Sequence, residues 1–309
     1  MKTNRIGRTG VTVTAVSFGC ASIGNLYRQI TDETAQQVLD TAWRAGIRYF
    51  DTAPHYGRGL SEQRLGRFLA GRQGHVLSTK VGRVLSPAAA PITEADGYIN
   101  PAQNDVRYDY SGDGIEESLD QSLSRLGVGH IDIVYVHDLG RYTHGAANAA
   151  HLQVFLGSGY DRLVRLKQAG RIGAFGLGVN ECQICLDVMD HGPLDVILLA
   201  GRLTLLDRSA EAVLVPRCHA AGTSLILGGI FNSGILATGP VPGATYDYGP
   251  APQDVLDRVA ALQAEALAQG VPLATAALRF AQEHPATTSV LLGTANPATL
   301  QRNLAAMRP

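Results

Sequence analysis

Short runs of β-branched and apolar residues recur along the chain, separated by stretches long enough for a helix, and the alternation continues almost to its end. The runs fall at 15–18, 47–50, 76–79, 131–136, 172–179, 196–199, 224–227 and 289–292. Helical spacing of apolar positions fills 31–45, 60–70, 114–126, 158–169, 181–189, 209–221, 254–268, 274–283 and 297–306. The last of these has Asn296 as N-cap and Pro297 at its first helical position. Strands joined through helices run parallel, because a parallel pair needs a long crossover connection. Eight such strands close into a (β/α)8 TIM barrel, which leaves no sheet edge exposed. Segment 5–14 holds Thr9-Gly10 between two short β-type runs and reads as an N-terminal β-hairpin that plugs the base of the barrel.

Length and charge narrow the class further. At about 150 residues per domain, 309 residues suggest two units. Barrels of this kind exceed that length as one, so 1–309 reads as a single domain. Lys and Arg number 26 against 27 Asp and Glu, with no block of like charge, so the electrostatic footprint of a nucleic-acid binder is missing. The apolar runs are strand-sized and the first ten residues hold no apolar core, so neither a membrane span nor a signal peptide is expected and the location reads as cytoplasmic. Four cysteines make no disulfide scaffold. Cys182-x-x-Cys185 lacks a second pair or histidines at zinc spacing, so no metal site is expected. A doubly wound fold would need G-x-G-x-x-G after the first strand, but 18–24 lacks the middle glycine, and no P-loop occurs.

Polar residues at the strand ends carry the functional signal. Tyr49-Phe50 runs into Asp51, Ser78-Thr79 into Lys80, Tyr135-Val136 into His137 and Gly178-Val179 into Asn180. Any one of these is ordinary where a strand meets solvent. In a parallel barrel, however, all these ends meet at one mouth, and Tyr56 follows Asp51 by five positions. An acid, an ammonium, a phenol and an imidazole form an acid/base set for a carbonyl or alcohol. A phenol with pKa near 10 exchanges protons poorly at neutral pH; Lys80 is expected to lower the Tyr56 pKa, Asp51 to hold Lys80 charged, and His137 to bond the substrate oxygen. Between the third strand and the helix near Gly114 lie more than thirty residues, 82–114, rich in Pro, Gly and Tyr; a loop that long on the C-terminal face reads as a cover for substrate.

These residues resemble the aldo-keto reductases, whose tetrad of Asp, Tyr, Lys and His matches Asp51, Tyr56, Lys80 and His137. The segments around Asp51-Thr52-Ala53-Pro54-His55-Tyr56-Gly57, Ser78-Thr79-Lys80, Val136-His137-Asp138 and Gly178-Val179-Asn180 are similar to that family's motifs, and the resemblance covers nearly the whole chain. It implies hydride transfer with NAD or NADP bound across the barrel mouth. It further implies cofactor contacts from Gly19, Cys20, Asp51 and Asn180, from Gly229, Phe231 and Ser233 around the pyrophosphate, and from Gly293, Thr294, Asn296, Arg302 and Asn303 at the adenosine end. Where many relatives carry Gln on the sixth strand and an aromatic on the seventh, this chain has Ala200 and Gly228. No Lys or Arg lies in 293–299 to pair a 2′-phosphate, which favours NAD.

The substrate is expected to be a small polar molecule, an aldose or aldehyde, contacted by His55, Tyr56, His137 and Asp138. Arg58, Arg141 and His144 crowd the same strand ends. Segments 109–114 and 200–203 resemble the aldose 1-dehydrogenase branch of the family, implying oxidation at C1 to the lactone. Oxidation of pyridoxal, reduction of simple aldehydes or ketones, and a non-catalytic cofactor-sensing subunit are the alternatives.

Overall fold

The computed structural model describes residues 1–307. Eight parallel strands close into a barrel: Val16–Gly19, Tyr49–Asp51, Val76–Val81, Ile131–His137, Ile172–Val179, Val196–Ala200, Ser224–Gly228 and Thr287–Leu292. They neighbour one another in chain order, and the eighth pairs with the first. All eight expected strands are present, with no end moved by more than two residues.

Strand periodicity decides what reaches the mouth. Side chains alternate between the faces of a strand, so positions two apart share a side. Tyr49, Ile133, Tyr135, Ala174, Val196, Leu198 and Ile226 form the barrel's inner core, while Phe50, Leu77, Val134 and Val136 pack outward against the helices. Asp51 is two past Tyr49, His137 two past Tyr135 and Lys80 two past Ser78, so all three continue the inward face to its upper layer. Beneath them Tyr49 and Tyr135 share a hydroxyl hydrogen bond of 2.9 Å, and the Ser78 and Tyr49 hydroxyls meet at 3.1 Å. The hairpin Thr3–Arg5 with Thr12–Thr14 closes the other end, burying Ile6 and Val13 in the same inner core.

The helices follow their end signals. Asp32–Arg44 is capped by Thr31, whose hydroxyl accepts from the Thr34 amide; Gly112–Leu126 is capped by Ser111; Pro297–Ala306 by Asn296. Two helices differ from expectation. The helix expected over 209–221 begins only at Leu214, because Asp207 accepts from the Ser209 amide and hydroxyl and holds a turn, and Pro216 cannot sit deep in a helix. The helix expected over 158–169 is instead the end of a longer helical run, Asn148–Val154, a π-type turn Phe155–Gly159 and Tyr160–Gln168.

Segment 82–114 is ordered β structure. Arg83–Pro87 pairs antiparallel with Asn104–Tyr108, and Glu94–Ala95 with Tyr98–Ile99. Asn25 clamps its tip by donating to the Ile99 carbonyl (2.9 Å), and Tyr27 donates its amide to Gly97 (2.8 Å). Its exit, Tyr110, donates to the His137 carbonyl at 2.8 Å. A side chain at Gly82 would meet the Tyr110 ring at 2.4 Å. A second irregular segment, 229–252, follows the seventh strand and contains Ile235–Thr238 and the tight pair Thr245–Tyr246 with Gly249–Pro250.

Candidate active site

The upper layer of the barrel interior holds a buried ion pair. Lys80 Nζ donates to Asp51 Oδ2 at 2.6 Å and to the Thr52 carbonyl at 2.8 Å, and Ser78 donates to Asp51 Oδ1 at 2.7 Å. Both charges are withdrawn from water, which costs several kcal/mol per ion unless nearly every polar atom finds a partner. Here each carboxylate oxygen has one. Burial pushes the Asp51 carboxyl up, and Lys80 and then Ser78 pull it back.

Tyr56 reaches this pair from the turn after the second strand. Two glycines make that approach possible: a Cβ on Gly24 would lie 2.7 Å from the Tyr56 carbonyl carbon, and one on Gly57, at φ +62°, 2.3 Å from the Gly24 oxygen. The Tyr56 ring stands with its centroid 4.5 Å from Lys80 Nζ and 5.8 Å from the His137 ring, nearly perpendicular to the latter. The tetrad is thus one cluster. The expectation that Lys80 lowers the Tyr56 pKa is not met: burial, followed by the charges of Asp51 and Asp138, pushes the phenol well above its ordinary value. The ammonium is already engaged by a carboxylate and a carbonyl. His137 moves the other way, since burial and then the cations of Arg83 and Lys80 keep its imidazole neutral.

A cavity of about 460 Å³ opens above the tetrad. Its floor includes Tyr56, Lys80, His137, Gly178 and Ala200; His55, Asp138 and Asn180 stand in its walls; Tyr27, Tyr98, Tyr142 and Tyr248 line it with phenol rings. Asp96, Gly97 and Tyr98 come from segment 82–114, so the expected cover does reach the cavity. Of the five rim residues named beside the strand ends, only His55 and Asp138 line it. Arg58 is paired to Asp96 and Asp105, Arg141 lies outside, and the Tyr110 hydroxyl bonds His144 Nε2 at 2.8 Å.

The expected cofactor residues follow the ends of the first, fifth, seventh and eighth strands. Gly19 and Gly293 face each other, since a Cβ on Gly293 would lie 3.3 Å from the Gly19 oxygen. Cys20 does not fit its expected place: its thiol is fully buried in the outer core, and burial raises its pKa, so only its backbone can serve. Asn180 donates to the Tyr248 hydroxyl at 3.3 Å, and Ser233 Oγ accepts from the Tyr248 amide at 2.9 Å. Gly229 turns at φ +58°, and Phe231 packs beneath the loop. Thr294 accepts from the Asn296 amide, Arg302 donates to Thr299, and Asn303 lies on the same helix. These residues suit a nicotinamide dinucleotide: Gly178 and Ala200 carry nothing larger than a methyl on the floor, and Asn180 offers an amide beside them. Among the described residues no three His, Cys, Asp or Glu side chains converge on a metal position, and no helix is long and apolar enough to cross a membrane.

Sequence reasoning missed Arg83, Tyr142 and Tyr248. Tyr248 had a readable signal: 229–252 is denser in Pro and Gly than 82–114 and also leaves a strand's C-terminal end. Arg83 had none, being one charged residue in a long loop.

Barrel, buried Asp–Lys pair, phenol and neutral imidazole together form an acid/base site suited to a carbonyl or an alcohol. Residues 15–308 match the Aldo/keto reductase family, and the chain belongs to it. A pyridoxal 4-dehydrogenase from Microbacterium luteolum is 40% identical over 310 residues, covering 97% of this chain and 91% of its own. A D-threo-aldose 1-dehydrogenase from a Pseudomonas species is 36% identical over 304 residues, covering 95% and 89%. The holo structure of an aldo-keto reductase from Bacillus halodurans shares the fold with a TM-score of 0.78 and 25% identity, covering all of this chain and 91% of that one. The protein is therefore an enzyme of the oxidoreductase class, acting with NAD or NADP.

Proposed function

We propose that the enzyme oxidises a small cyclic hemiacetal to its lactone with NAD, an aldose at C1 being the preferred substrate. The observation that carries this reading is the cavity of about 460 Å³, whose floor is the tetrad and whose walls present His55, Asp138 and Asn180 to a hydroxylated molecule. The bound dinucleotide supplies the hydride acceptor. Tyr56 takes the proton of the hemiacetal hydroxyl, so that its oxygen can form the lactone carbonyl as the C–H bond breaks. His137, held neutral, donates a hydrogen bond to that oxygen, and Lys80 with Asp51 fixes the charge beneath the phenol. Asn180, Gly229, Ser233, Gly293 and Asn296 would hold the dinucleotide, and the absence of Lys or Arg in 293–299 favours NAD over NADP.

A second reading, oxidation of pyridoxal, is favoured by one feature of the cavity. Tyr27, Tyr98, Tyr142 and Tyr248 offer flat surfaces to an aromatic ring. Pyridoxal also closes on its own hydroxymethyl group into a cyclic hemiacetal, so the chemistry at the tetrad is the same. Absorbance of reduced nicotinamide, followed with L-fucose, D-arabinose, L-galactose or pyridoxal and with each dinucleotide, tests both. Turnover of a sugar with NAD supports the first reading and turnover of pyridoxal alone the second. Reduction of simple aldehydes with NADPH, and no oxidation, overturns both.

A further inference from the structure

Beside the tetrad lies a second polar cluster whose organising residue is Arg83, the first residue after the turn that ends the third strand. Its side chain is buried. Arg83 Nη1 meets His55 Nδ1 at 2.6 Å, and Nη2 donates to Asp138 Oδ2. A guanidinium has only donors, so His55 Nδ1 is the acceptor and the neutral ring carries its proton on Nε2. Among the described residues no group pairs with that Nε2 or with Asp138 Oδ1. Asp138 Oδ2 also lies 3.4 Å from His137 Nε2, the imidazole of the tetrad. Asp138 takes a left-handed backbone, φ +51°, directly after the fourth strand, a conformation that persists where the surroundings enforce it. His55 and Asp138 both line the cavity; Arg83 stands behind them.

We propose that Arg83 is the positioning residue of a hydroxyl subsite, in which Asp138 Oδ1 accepts from, and His55 Nε2–H donates to, a hydroxyl on the carbon next to the one oxidised. The inference rests on the proposed hemiacetal chemistry and narrows it. The contact between Asp138 and the catalytic imidazole places the subsite one carbon from the reacting centre. The substrate class is then a lactol or aldehyde with a hydroxyl on the adjacent carbon, which an aldose carries at C2; the ring hydroxyl of pyridoxal lies one carbon further out, so turnover confined to pyridoxal overturns the subsite. The subsite rejects deoxy analogues because its acceptor and donor would be left unpaired.

The test compares each active substrate with its analogue lacking the adjacent hydroxyl, using the whole enzyme. Wild type is expected to favour the hydroxylated partner by about 10- to 100-fold in kcat/KM, the range of a hydrogen bond to a charged group. Arg83→Met should collapse that ratio toward unity, and Arg83→Lys, which keeps the charge but cannot reach both partners, should restore part of it. NADH affinity, read by fluorescence titration, and the unfolding midpoint report whether the variants keep their fold. Equal turnover of both partners by wild type overturns the subsite while leaving the hemiacetal reading intact. If no hemiacetal is oxidised, that reading fails, and the subsite is tested in the reducing direction with lactaldehyde against propionaldehyde. A missing preference there overturns it as well, and so does an unchanged ratio in a folded Arg83→Met. Should that variant not fold, Asp138→Asn takes its place: a ratio falling toward unity supports the subsite, and an unchanged one overturns it.

Discussion

Asp51, Lys80 and His137 sit on strands, and the first two are held by groups of the barrel itself, whereas Asn180, Ser233 and Tyr248 sit beyond strand ends and hold one another. The acid/base side of the cavity is finished before any ligand arrives. The side expected to take the cofactor is closed by contacts that a dinucleotide would have to exchange: the Asn180 amide is on the Tyr248 phenol, and the Ser233 hydroxyl is on the Tyr248 amide. Arg202 ties that strap down through Asp247 at 2.8 Å, and Tyr142 reaches the Asp247 carbonyl at 3.3 Å. The ion pair and the imidazole are built on the rigid sheet, with Tyr56 reaching them from a turn that the close approach of Gly24 and Gly57 holds, and the groups expected to admit the cofactor are built on loops.

The contrast can be broken from either side. Tyr56→Phe should lower kcat by roughly 10²- to 10⁴-fold, the usual range for losing a general acid/base, with NADH affinity little changed. Near-full turnover in a folded variant would remove Tyr56 from the chemistry. Lys80→Met strands the buried Asp51 carboxylate and should cost about 3–5 kcal/mol of stability, measured by urea unfolding. Asn180→Ala, on the opposite side, should leave stability alone and weaken NADH about tenfold, the worth of one or two amide hydrogen bonds. An unchanged dissociation constant would take Asn180 out of the cofactor site.

A pH profile sharpens the same comparison. Because the Tyr56 pKa is raised, the phenolate that oxidation needs is scarce at neutral pH and grows by about tenfold per unit as pH rises, so oxidation should keep climbing through the mildly alkaline range. Reduction uses the protonated phenol and should stay flat there. A plateau of oxidation already at neutral pH would mean that the phenol is lowered in the working complex. The smallest effect is expected at the strap: Tyr248→Phe removes only the phenol that Asn180 must leave, and should change NADH affinity by less than about threefold, toward tighter binding.

How much of this is legible in the sequence follows from the same division. The strands and their polar ends are periodic, so counting two residues from Tyr49, Ser78 and Tyr135 places Asp51, Lys80 and His137 in one layer without any coordinates. Tyr142 and Asp247 meet across about a hundred residues of chain with no repeat between them, and nothing in either segment announces the other. The direction of the Tyr56 shift escapes the sequence for a related reason. A sequence shows which charges are neighbours but not how deeply a phenol is buried, and burial is the larger of the two effects here.

The antiparallel excursion after the third strand has a bearing on how such an enzyme changes over generations. Barrel enzymes diversify by exchanging the loops at their mouths while the sheet stays constant. In this chain the excursion begins at Gly82 and Arg83 and ends at Tyr110, whose hydroxyl supports the backbone of His137. Swapping the whole insert would therefore disturb the tetrad's own strand, whereas a graft that retains both roots and replaces the tip around 88–103 would spare that strand and change the cavity wall that Asp96, Gly97 and Tyr98 supply.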